Sequence, residues 1–359
     1  MKKFNFIFVG ILMLICTMFL SSCNWFKKSE KPDEPQGGYD RETLKAEFLA
    51  EANKVVVNDA TVVFQDASGK ASVTVAKNPS NVVNLYASFT TLWYEAGGTV
   101  SGLIGGASSV SLYEEQIGRD ITNDPGVSVL ATSSSGSKWS TETIIASNPG
   151  LIICSTAMSG YATIGDPAET VGIPVIAVSY DDFSDYLKWF KVFCNLSGHP
   201  ELWETVALDA LDEVIDILMQ IPLENNPLIF SMFSGSTSLQ ANLSGTVVGA
   251  IAKQLRATNI ADSWQNTDSA SRLPINLEYV FAADPELILV QCHEEDDKVT
   301  ALVDELYGEN PIWNNLSAVK NGKVYYLPKT LFHNKPNKKF AEAYRIMAQI
   351  LYPEIELSE

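Results

Sequence analysis

Histidine, the commonest metal-binding side chain in proteins, is scarce in this 359-residue chain. The sequence has three histidines, His199, His293 and His333, and they are widely separated. His293 precedes an acidic run at 294–297, which predicts either a cation-attracting loop or, more simply, a solvated acidic loop. Sites for bare transition metals usually gather several histidines and carboxylates. We therefore predict no metal site made by the protein alone, and free zinc or manganese is disfavoured as a ligand.

Common catalytic signatures are absent from the sequence as well. It contains no G-x-S-x-G, H-E-x-x-H or G-x-x-x-x-G-K-S/T motif, which hydrolases, zinc proteases and nucleotide-binding enzymes use. Ser234 and Ser236 lie in a Gly-Ser segment, and no base is close to them in the sequence. We predict no catalytic residue.

Cys23 ends a segment that is typical of bacterial lipoprotein signals. A basic start precedes an apolar stretch at 4–20, and the run 20–23 (LSSC) resembles a lipobox. The sequence therefore predicts a signal peptide at 1–22, lipidation of Cys23 and an extracytoplasmic, membrane-anchored protein. A transmembrane anchor, or an ordinary secretory signal with a chance cysteine, is the alternative, although the apolar stretch is short for a span.

Acidic side chains outnumber basic ones by 43 to 25, which gives a net charge of −18 at pH 7. Such a surface repels nucleic acid and anionic lipid, so neither is a predicted partner, but it suits docking to a basic protein. Beyond the signal and Cys23, the cysteines are Cys154, Cys194 and Cys292, each in an apolar stretch. We expect buried free thiols, with at most one disulfide, in a monomer.

Short apolar strands alternate with amphipathic helices from residue 55 onward, which is typical of parallel α/β layers. Before them, 24–38 is a polar tether and 40–54 a predicted helix. A β-hairpin is predicted from 62–64 and 73–75, joined by a turn at 66–69. Further strands are predicted at 81–85, 151–154, 175–178, 228–232, 287–290 and 324–327, and helices at 246–255 and 338–351.

One long helix is predicted between the two halves of this pattern, because no glycine or proline follows Pro200 until after Ile221. At about 1.5 Å per residue it spans roughly 30 Å, enough to join two lobes, whereas a helix packed within one lobe is the alternative. The predicted organisation is a signal peptide, a tether with an N-terminal helix, an N-terminal α/β lobe, an interlobe helix and a C-terminal α/β lobe, at 1–22, 23–54, 55–199, 200–222 and 223–359.

Four segments resemble, in the correct order, the substrate-binding proteins of ATP-binding-cassette importers for iron–siderophores, haem and cobalamin. They are 78–98 (NPSNVVNLYASFTTLWYEAGG), 139–153 (WSTETIIASNPGLII), 277–290 (LEYVFAADPELILV) and 310–327 (NPIWNNLSAVKNGKVYYL). The resemblance implies an α/β fold of two Rossmann-like lobes, joined by a single long rigid helix, with the ligand in the cleft between them. It implies a lipid-anchored protein, not an enzyme and without an intrinsic cofactor, that delivers a ferric siderophore, haem or a corrinoid to permease subunits.

Glu142 and Glu278 occupy matching positions in the two halves, each at the start of a predicted helix. In the family the matching glutamates form salt bridges with arginines of the transmembrane subunits, so the resemblance implies that this pair docks the transporter. Two carboxylates far apart on a rigid body make a two-point electrostatic contact. The alternative is that each is only a first-turn glutamate favoured by the helix dipole.

Ligand-binding residues are expected where strands end, because those loops line the cleft in such folds. Aromatic, polar and cationic side chains there suit a bulky metal chelate, and core packing is the alternative for the aromatic ones. Tyr113 matches the position of an axial tyrosine in some haem binders of the family, although Glu114 replaces the proline that often follows. The predicted ligand-binding residues are Tyr86, Ser88, Tyr113, Trp139, Ser236, Gln240, His293, Phe332, His333 and Lys335.

Two other functions stay open on the sequence alone. An enzyme on the same scaffold, chelatase-like or a surface hydrolase, would need an activated nucleophile or an open metal site. An adhesin or structural surface protein is the other alternative, and the paired glutamates argue against it because such a protein needs no transporter contact.

Overall fold

Three β-sheets organise the structure, a computed structural model that describes residues 40–133, 139–264 and 271–357. The sheets have three, five and six strands. The predicted signal peptide, Cys23 and the tether lie outside the described residues. The described residues belong to one compact unit, Gly38–Glu359.

An N-terminal helix and a small antiparallel sheet come first. Helix α1, Arg41–Leu49, begins after Asp40, whose carboxylate accepts a hydrogen bond from the Thr43 amide at 2.8 Å. Strands β2 (Thr61–Phe64) and β3 (Val73–Ala76) are antiparallel, with Thr61 opposite Ala76 and Phe64 opposite Val73, which confirms the predicted hairpin. The remaining strand of this sheet is β1 (Val56–Val57).

The second sheet is parallel throughout, and its strands alternate with helices as the sequence pattern predicts. In chain order its elements are β4 (Val82–Asn84), α2 (Ala87–Glu95), β5 (Gly102–Ile104), α3 (Ala107–Ile117), β6 (Ser128–Ala131), α4 (Thr141–Ala146), β7 (Leu151–Ser155), α5 (Tyr161–Thr170) and β8 (Val175–Val178). The strand order β6-β5-β4-β7-β8 puts the first strand at the centre, as in a Rossmann-like layer. This sheet and its helices are the N-terminal lobe.

A helical segment then carries the chain to the third sheet. Helix α6, Phe183–Ser197, ends at Gly198, and a new helical run begins at Glu201. That run passes through a π-helical stretch, Trp203–Leu208, into α7, Asp209–Met219. This helical run lies where the sequence predicts one long helix, and its π-helical stretch is a feature that the hydrophobic period did not predict.

The third sheet mixes parallel and antiparallel strands and, with its helices, forms the C-terminal lobe. Its elements, followed by the last helix of the chain, are β9 (Leu228–Ser234), β10 (Leu239–Asn242), α8 (Val247–Gln254), β11 (Thr258–Asn259), β12 (Arg272–Pro274), α9 (Leu277–Ala283), β13 (Leu287–Cys292), α10 (Asp296–Tyr307), α11 (Pro311–Asn315), α12 (Ser317–Lys320), β14 (Val324–Leu327), α13 (Lys329–Phe332) and α14 (Phe340–Leu351). Strands β9, β13 and β14 are parallel, whereas β10 is antiparallel to both of its neighbours, β9 and β12.

One apolar core is shared by the two lobes. It contains buried residues of α1, α2, α6, α7, α8 and α14, together with residues of both larger sheets. The Phe340 ring of α14 lies 5.1 Å from the Phe183 ring and 5.4 Å from the Tyr186 ring, both on α6. The last helix of the chain therefore packs against the N-terminal lobe.

Within the described ranges no helix has the length and hydropathy of a membrane span. Cys154, Cys194 and Cys292 are all buried free thiols, as their apolar sequence context predicts.

Candidate functional site

A cavity of about 610 Å³ lies between the two lobes and is lined by residues of both. Its volume falls in the range of small-molecule sites. The N-terminal lobe lines it with the segments that follow each of the strands β4 to β8, as expected for the carboxyl ends of parallel strands. These segments are 86–89, 106–109, 132–133, 155, 157–158 and 179–181. Most of their polar side chains are hydroxyls, and Asp181 is the one charged residue among them.

Two helices begin at this wall without a side-chain cap. Helix α2 follows Tyr86 and α3 follows Gly106, and neither residue caps its helix through a side chain. The N–H groups of a first helical turn lack partners within the helix, so they suit an anionic ligand. Glycine is required at 106, because a Cβ there would lie 2.0 Å from the carbonyl oxygen of Thr132.

The C-terminal lobe contributes a half-buried cation, Arg272 at the start of β12. Its Nε donates to Asn242 Oδ1 at 3.0 Å and its Nη2 to Gln291 Oε1 at 3.4 Å, and both acceptors are neutral. No carboxylate among the described residues forms a salt bridge with it. Burial lowers the pKa of the guanidinium, with the charge of Asp181 as a weaker opposing influence, but arginine stays protonated. This wall therefore holds a positive charge that no acid neutralises at close range.

Phe233 of β9 holds Arg272 and His333 in one stack. The Cζ atom of Arg272 lies 3.9 Å from the centroid of the phenyl ring. The imidazole of His333 lies 5.8 Å from it, with only 18° between the ring planes. His333 Nε2 and His293 Nδ1 are 2.9 Å apart and share a hydrogen bond. Burial, and next the surrounding positive charges, lower the pKa of His333 to about 3, so its imidazole is neutral at physiological pH.

The segment from Lys335 to Asn337 joins the two walls. Lys335 Nζ forms an ion pair with Asp181 at 2.9 Å and also donates to the carbonyl of Tyr180. Asn337 is fully buried with a φ of +54°, a backbone conformation that asparagine adopts more readily than most residues. Its amide donates to Thr91 Oγ1 at 2.9 Å, and its Oδ1 accepts a hydrogen bond from the Tyr180 hydroxyl.

Five of the ten predicted ligand-binding residues line the cavity. They are Tyr86, Ser88, His293, His333 and Lys335. Burial raises the pKa of the Tyr86 phenol, so this residue presents a neutral hydroxyl. The structure thus brings together aromatic, hydroxyl and basic side chains from segments that are distant in sequence.

Tyr113 does not line the cavity, and its predicted role as an axial ligand is wrong for this structure. Its ring is fully buried on the inner side of α3, and its hydroxyl donates to the carbonyl of Ile104 at 2.7 Å. Burial raises the pKa of the phenol well above its ordinary value, which disfavours the phenolate that would bind iron.

The other four predicted residues are also absent from the cavity lining. Trp139 packs in a core of the N-terminal lobe, and its indole N–H donates to a backbone carbonyl at 2.9 Å. Phe332 is fully buried. Ser236 is exposed in the β9–β10 turn, and its hydroxyl donates to the Glu294 carboxylate at 3.0 Å. Gln240, in β10, pairs with Phe233 of β9. The strand-end rule is too coarse for these four, since Gln240 lies inside a strand and Phe332 inside helix α13.

Sequence reasoning missed Arg272, Gln291 and Asp181, all of which line the cavity. Arg272 reaches it through an antiparallel pairing, Asn242 with Arg272, which the short segment around it gave no pattern to predict. Gln291 directly follows the predicted strand 287–290, and Asp181 lies three positions after the end of the predicted strand 175–178, so the strand-end rule would have found both.

Glu142 and Glu278 are both exposed in the first turns of short helices, α4 and α9. Ser140 and Asn276 cap these helices by accepting hydrogen bonds from first-turn amides. Neither carboxylate forms a salt bridge with a described residue.

Across the described ranges, no group of three or more His, Cys, Asp or Glu side chains could hold a metal ion. His199 is exposed and lies 3.2 Å from Glu201, and it is not part of the cavity lining.

Comparison with known proteins gives matches of one kind. A family model described as "periplasmic binding protein" matches residues 85–331. The Fe(3+)-citrate-binding protein YfmC of Bacillus subtilis is 26% identical over 265 residues, which cover 73% of this chain and 77% of that protein. The family match and this relative confirm the resemblance seen in the sequence.

Solved structures share the fold at lower identity. An ABC transporter substrate-binding protein from Listeria monocytogenes has a TM-score of 0.62 at 17% identity, covering 77% of this chain and all of that one. IsdE of S. aureus, complexed with heme, has a TM-score of 0.60 at 14% identity, covering 76% of this chain and 98% of that one. These likenesses confirm the predicted α/β fold class, and the matched proteins bind substrates rather than convert them.

Proposed function

Because the chain belongs to the periplasmic binding protein family, whose members work outside the cytoplasm, we propose that it captures a small anionic metal chelate of the ferric citrate type. It would then deliver this chelate to the permease subunits of an ATP-binding-cassette importer. The name of the relative from Bacillus subtilis supports this ligand class.

Arg272 is the observation that carries the proposal. A half-buried guanidinium that has only neutral acceptors gains most when a carboxylate or another anion enters the cavity. Guanidinium and carboxylate groups match in geometry and form paired hydrogen bonds. Gln291 and Asn242 fix the orientation of the guanidinium in advance, which lowers the entropy lost on binding.

The opposite wall supports the same ligand class. The uncapped first turns of α2 and α3 and the hydroxyls beside them donate hydrogen bonds, and oxygen-rich chelates accept them. Haem and corrinoids expose large apolar faces, whereas much of this cavity's lining consists of hydroxyls and charges, beside a few large apolar side chains, Phe89, Leu112, Met158 and Val247. The buried, hydrogen-bonded Tyr113 also removes the residue that pointed to haem.

The proposal also includes a lipid anchor at Cys23 and two docking carboxylates, those of Glu142 and Glu278. The signal-like sequence before Cys23 supports the anchor. Exposure, a shared first-turn position and the absence of described ion-pair partners support the docking role. Charge reversal of both glutamates would then abolish uptake by cells, while ligand binding by the purified protein would be unchanged.

The test of the ligand class is a fluorescence titration of the purified mature protein with ferric citrate, followed through its tryptophans. Haemin, cobalamin and iron-free citrate are titrated in parallel. Saturable binding of ferric citrate, with much weaker binding of haemin and cobalamin, is expected. A sharp Soret shift with haemin and no response to ferric citrate would reject the proposed ligand.

A further inference from the structure

Helix α9 exposes two large aromatic side chains. Tyr279 is 59% exposed and Phe281 is 48% exposed, and they are the only aromatic residues among the large exposed hydrophobic side chains of the described chain. Both lie within three positions of Glu278, which is also exposed. Exposed aromatic residues that are clustered rather than scattered mark protein interaction surfaces.

The core of the C-terminal lobe supports one ring of this aromatic pair, that of Tyr279. The Tyr279 ring makes an edge contact with Trp264 at 6.2 Å between centroids, and Trp264 lies 5.9 Å from the buried ring of Phe230. A side chain that is already held in place loses little conformational freedom on binding. Rigid aromatic anchors of this kind often dominate the energy of an interface.

The charge beside the aromatic pair indicates the chemistry of the partner. The carboxylate of Glu278 has no salt-bridge partner among the described residues, so it is available to an external cation. The complementary surface is a basic side chain beside an apolar depression. Contact of α9 with a second copy would bring two glutamates together, and an anionic bilayer would be repelled by the net charge of −18.

The matching helix of the N-terminal lobe lacks this feature. In α4 the residues that flank Glu142 are Thr141 and Thr143, and no residue of that helix is a large exposed hydrophobic side chain. Of the two helices that carry the paired glutamates, only α9 therefore combines charge with apolar area.

We propose that α9 is the principal docking helix, and that Tyr279 and Phe281 insert into an apolar depression of a permease subunit whose basic side chain pairs with Glu278. The inference rests on the proposed function and adds to it an asymmetry between the two lobes. The N-terminal contact at Glu142 steers the encounter, and the C-terminal contact at α9 holds the complex.

The test measures uptake of radioactive iron from ferric citrate by cells that carry the full-length chain. Tyr279→Ser with Phe281→Ser should lower uptake about tenfold, in line with loss of an aromatic anchor. The matched control is Val129→Ser with Val171→Ser, which removes two exposed apolar side chains from the N-terminal lobe and should leave uptake within about twofold. Equal uptake by the two double variants would overturn the inference.

A photo-crosslinking amino acid at position 279 identifies the partner directly. Mass spectrometry is expected to find a crosslink to a multi-pass membrane subunit of the importer, and Glu278→Arg should abolish it. A crosslink to phospholipid or to a second copy of the chain would overturn the inference.

Titration of purified Tyr279→Ser/Phe281→Ser protein with ferric citrate separates this inference from the proposed function. Unchanged affinity together with reduced uptake supports docking through α9. If the wild-type protein does not bind ferric citrate, the proposed ligand is rejected, and the crosslink still decides the docking surface on its own.

Discussion

The two walls of the cavity are built from different chemistry. The N-terminal wall presents hydroxyls and helix starts from five strand ends, and its one charged residue, Asp181, is paired with Lys335. The C-terminal wall presents Arg272 and the hydrogen-bonded histidines, supported from behind by Phe233. The difference indicates that the C-terminal wall selects ligand charge, whereas the N-terminal wall selects shape and hydrogen-bonding pattern.

The largest expected effect on ligand binding comes from removing the charge of the C-terminal wall. Removing one hydroxyl from the N-terminal wall should have a smaller effect. Arg272→Gln should weaken ferric citrate binding about 30-fold, or about 2 kcal/mol, because a charge-assisted hydrogen bond is lost. Ser108→Ala on the N-terminal wall should weaken it by about 1 kcal/mol or less, the usual value of a neutral hydrogen bond. Fluorescence titration of both variants measures the two losses of ferric citrate affinity. Equal losses would contradict the proposed difference between the walls.

A second prediction concerns the contribution of His333, on the C-terminal wall, to the pH dependence of stability. The pKa of His333 is about 3 in the folded protein and near 6.5 when unfolded, because of burial and the charges of His293, Arg272, Lys329 and Lys335. The unfolded chain therefore binds the proton first, and stability that is present above pH 6.5 is lost as the pH falls towards 3.

Between pH 6.5 and 5 this histidine should account for a loss of about 1 to 2 kcal/mol in the free energy of unfolding of the ligand-free protein. In urea denaturation, His333→Gln should therefore gain about 1 to 2 kcal/mol of stability relative to the wild type as the pH falls from 6.5 to 5. The carboxyl groups of Glu95 and Asp185, whose pKa values burial raises to about 7 and about 6, act in the opposite direction equally in both proteins. His199→Gln, at an exposed position, is the matched control and should leave the curve unchanged. A wild-type slope in the His333 variant would contradict the assignment.

A third prediction tests whether Phe233 positions the charged wall. Phe233→Leu keeps much of the apolar volume but removes the aromatic face, which should weaken ferric citrate binding by about 1 kcal/mol, or roughly fivefold, through the lost cation–π contact. The same variant should not alter binding if Arg272 has already been replaced by Gln. Additive losses in that double variant would show that Phe233 acts independently of Arg272.

The smallest expected effect on binding is at Tyr113. Tyr113→Phe should leave ferric citrate binding unchanged and lower stability by about 1 kcal/mol, since it removes only the buried hydrogen bond to Ile104. Titration and thermal unfolding of the same sample separate the two quantities. Loss of ligand binding with unchanged stability would contradict this prediction and indicate that Tyr113 contacts the ligand.

The sequence predicts the repeated layers of this fold well, because buried parallel strands such as Leu151–Ser155 are continuous apolar runs with few alternative interpretations. It predicts the site less well. Tyr86 and Ser88 follow a clear strand and are found in the cavity, whereas Tyr113 lies in a helix whose rotation about its axis decides which face is buried.

Arg272 is a site residue that the sequence alone does not indicate. Its role depends on the pairing of two short strands, β10 and β12, and on Phe233, which lies 39 positions away in the sequence. Such pairings are set by tertiary packing and by the register of the whole sheet, so no local pattern around the arginine indicates them.

The place of α14 in the shared core has a consequence for how the chain matures. Phe340 and Tyr344 fill a space against Phe183 of α6, so the N-terminal lobe lacks part of its core until the last helix is present. A protein exported through a membrane in the order of its sequence would therefore complete this lobe only after its C-terminus has crossed. Early collapse of this lobe into a finished core is thereby discouraged until the last helix is available.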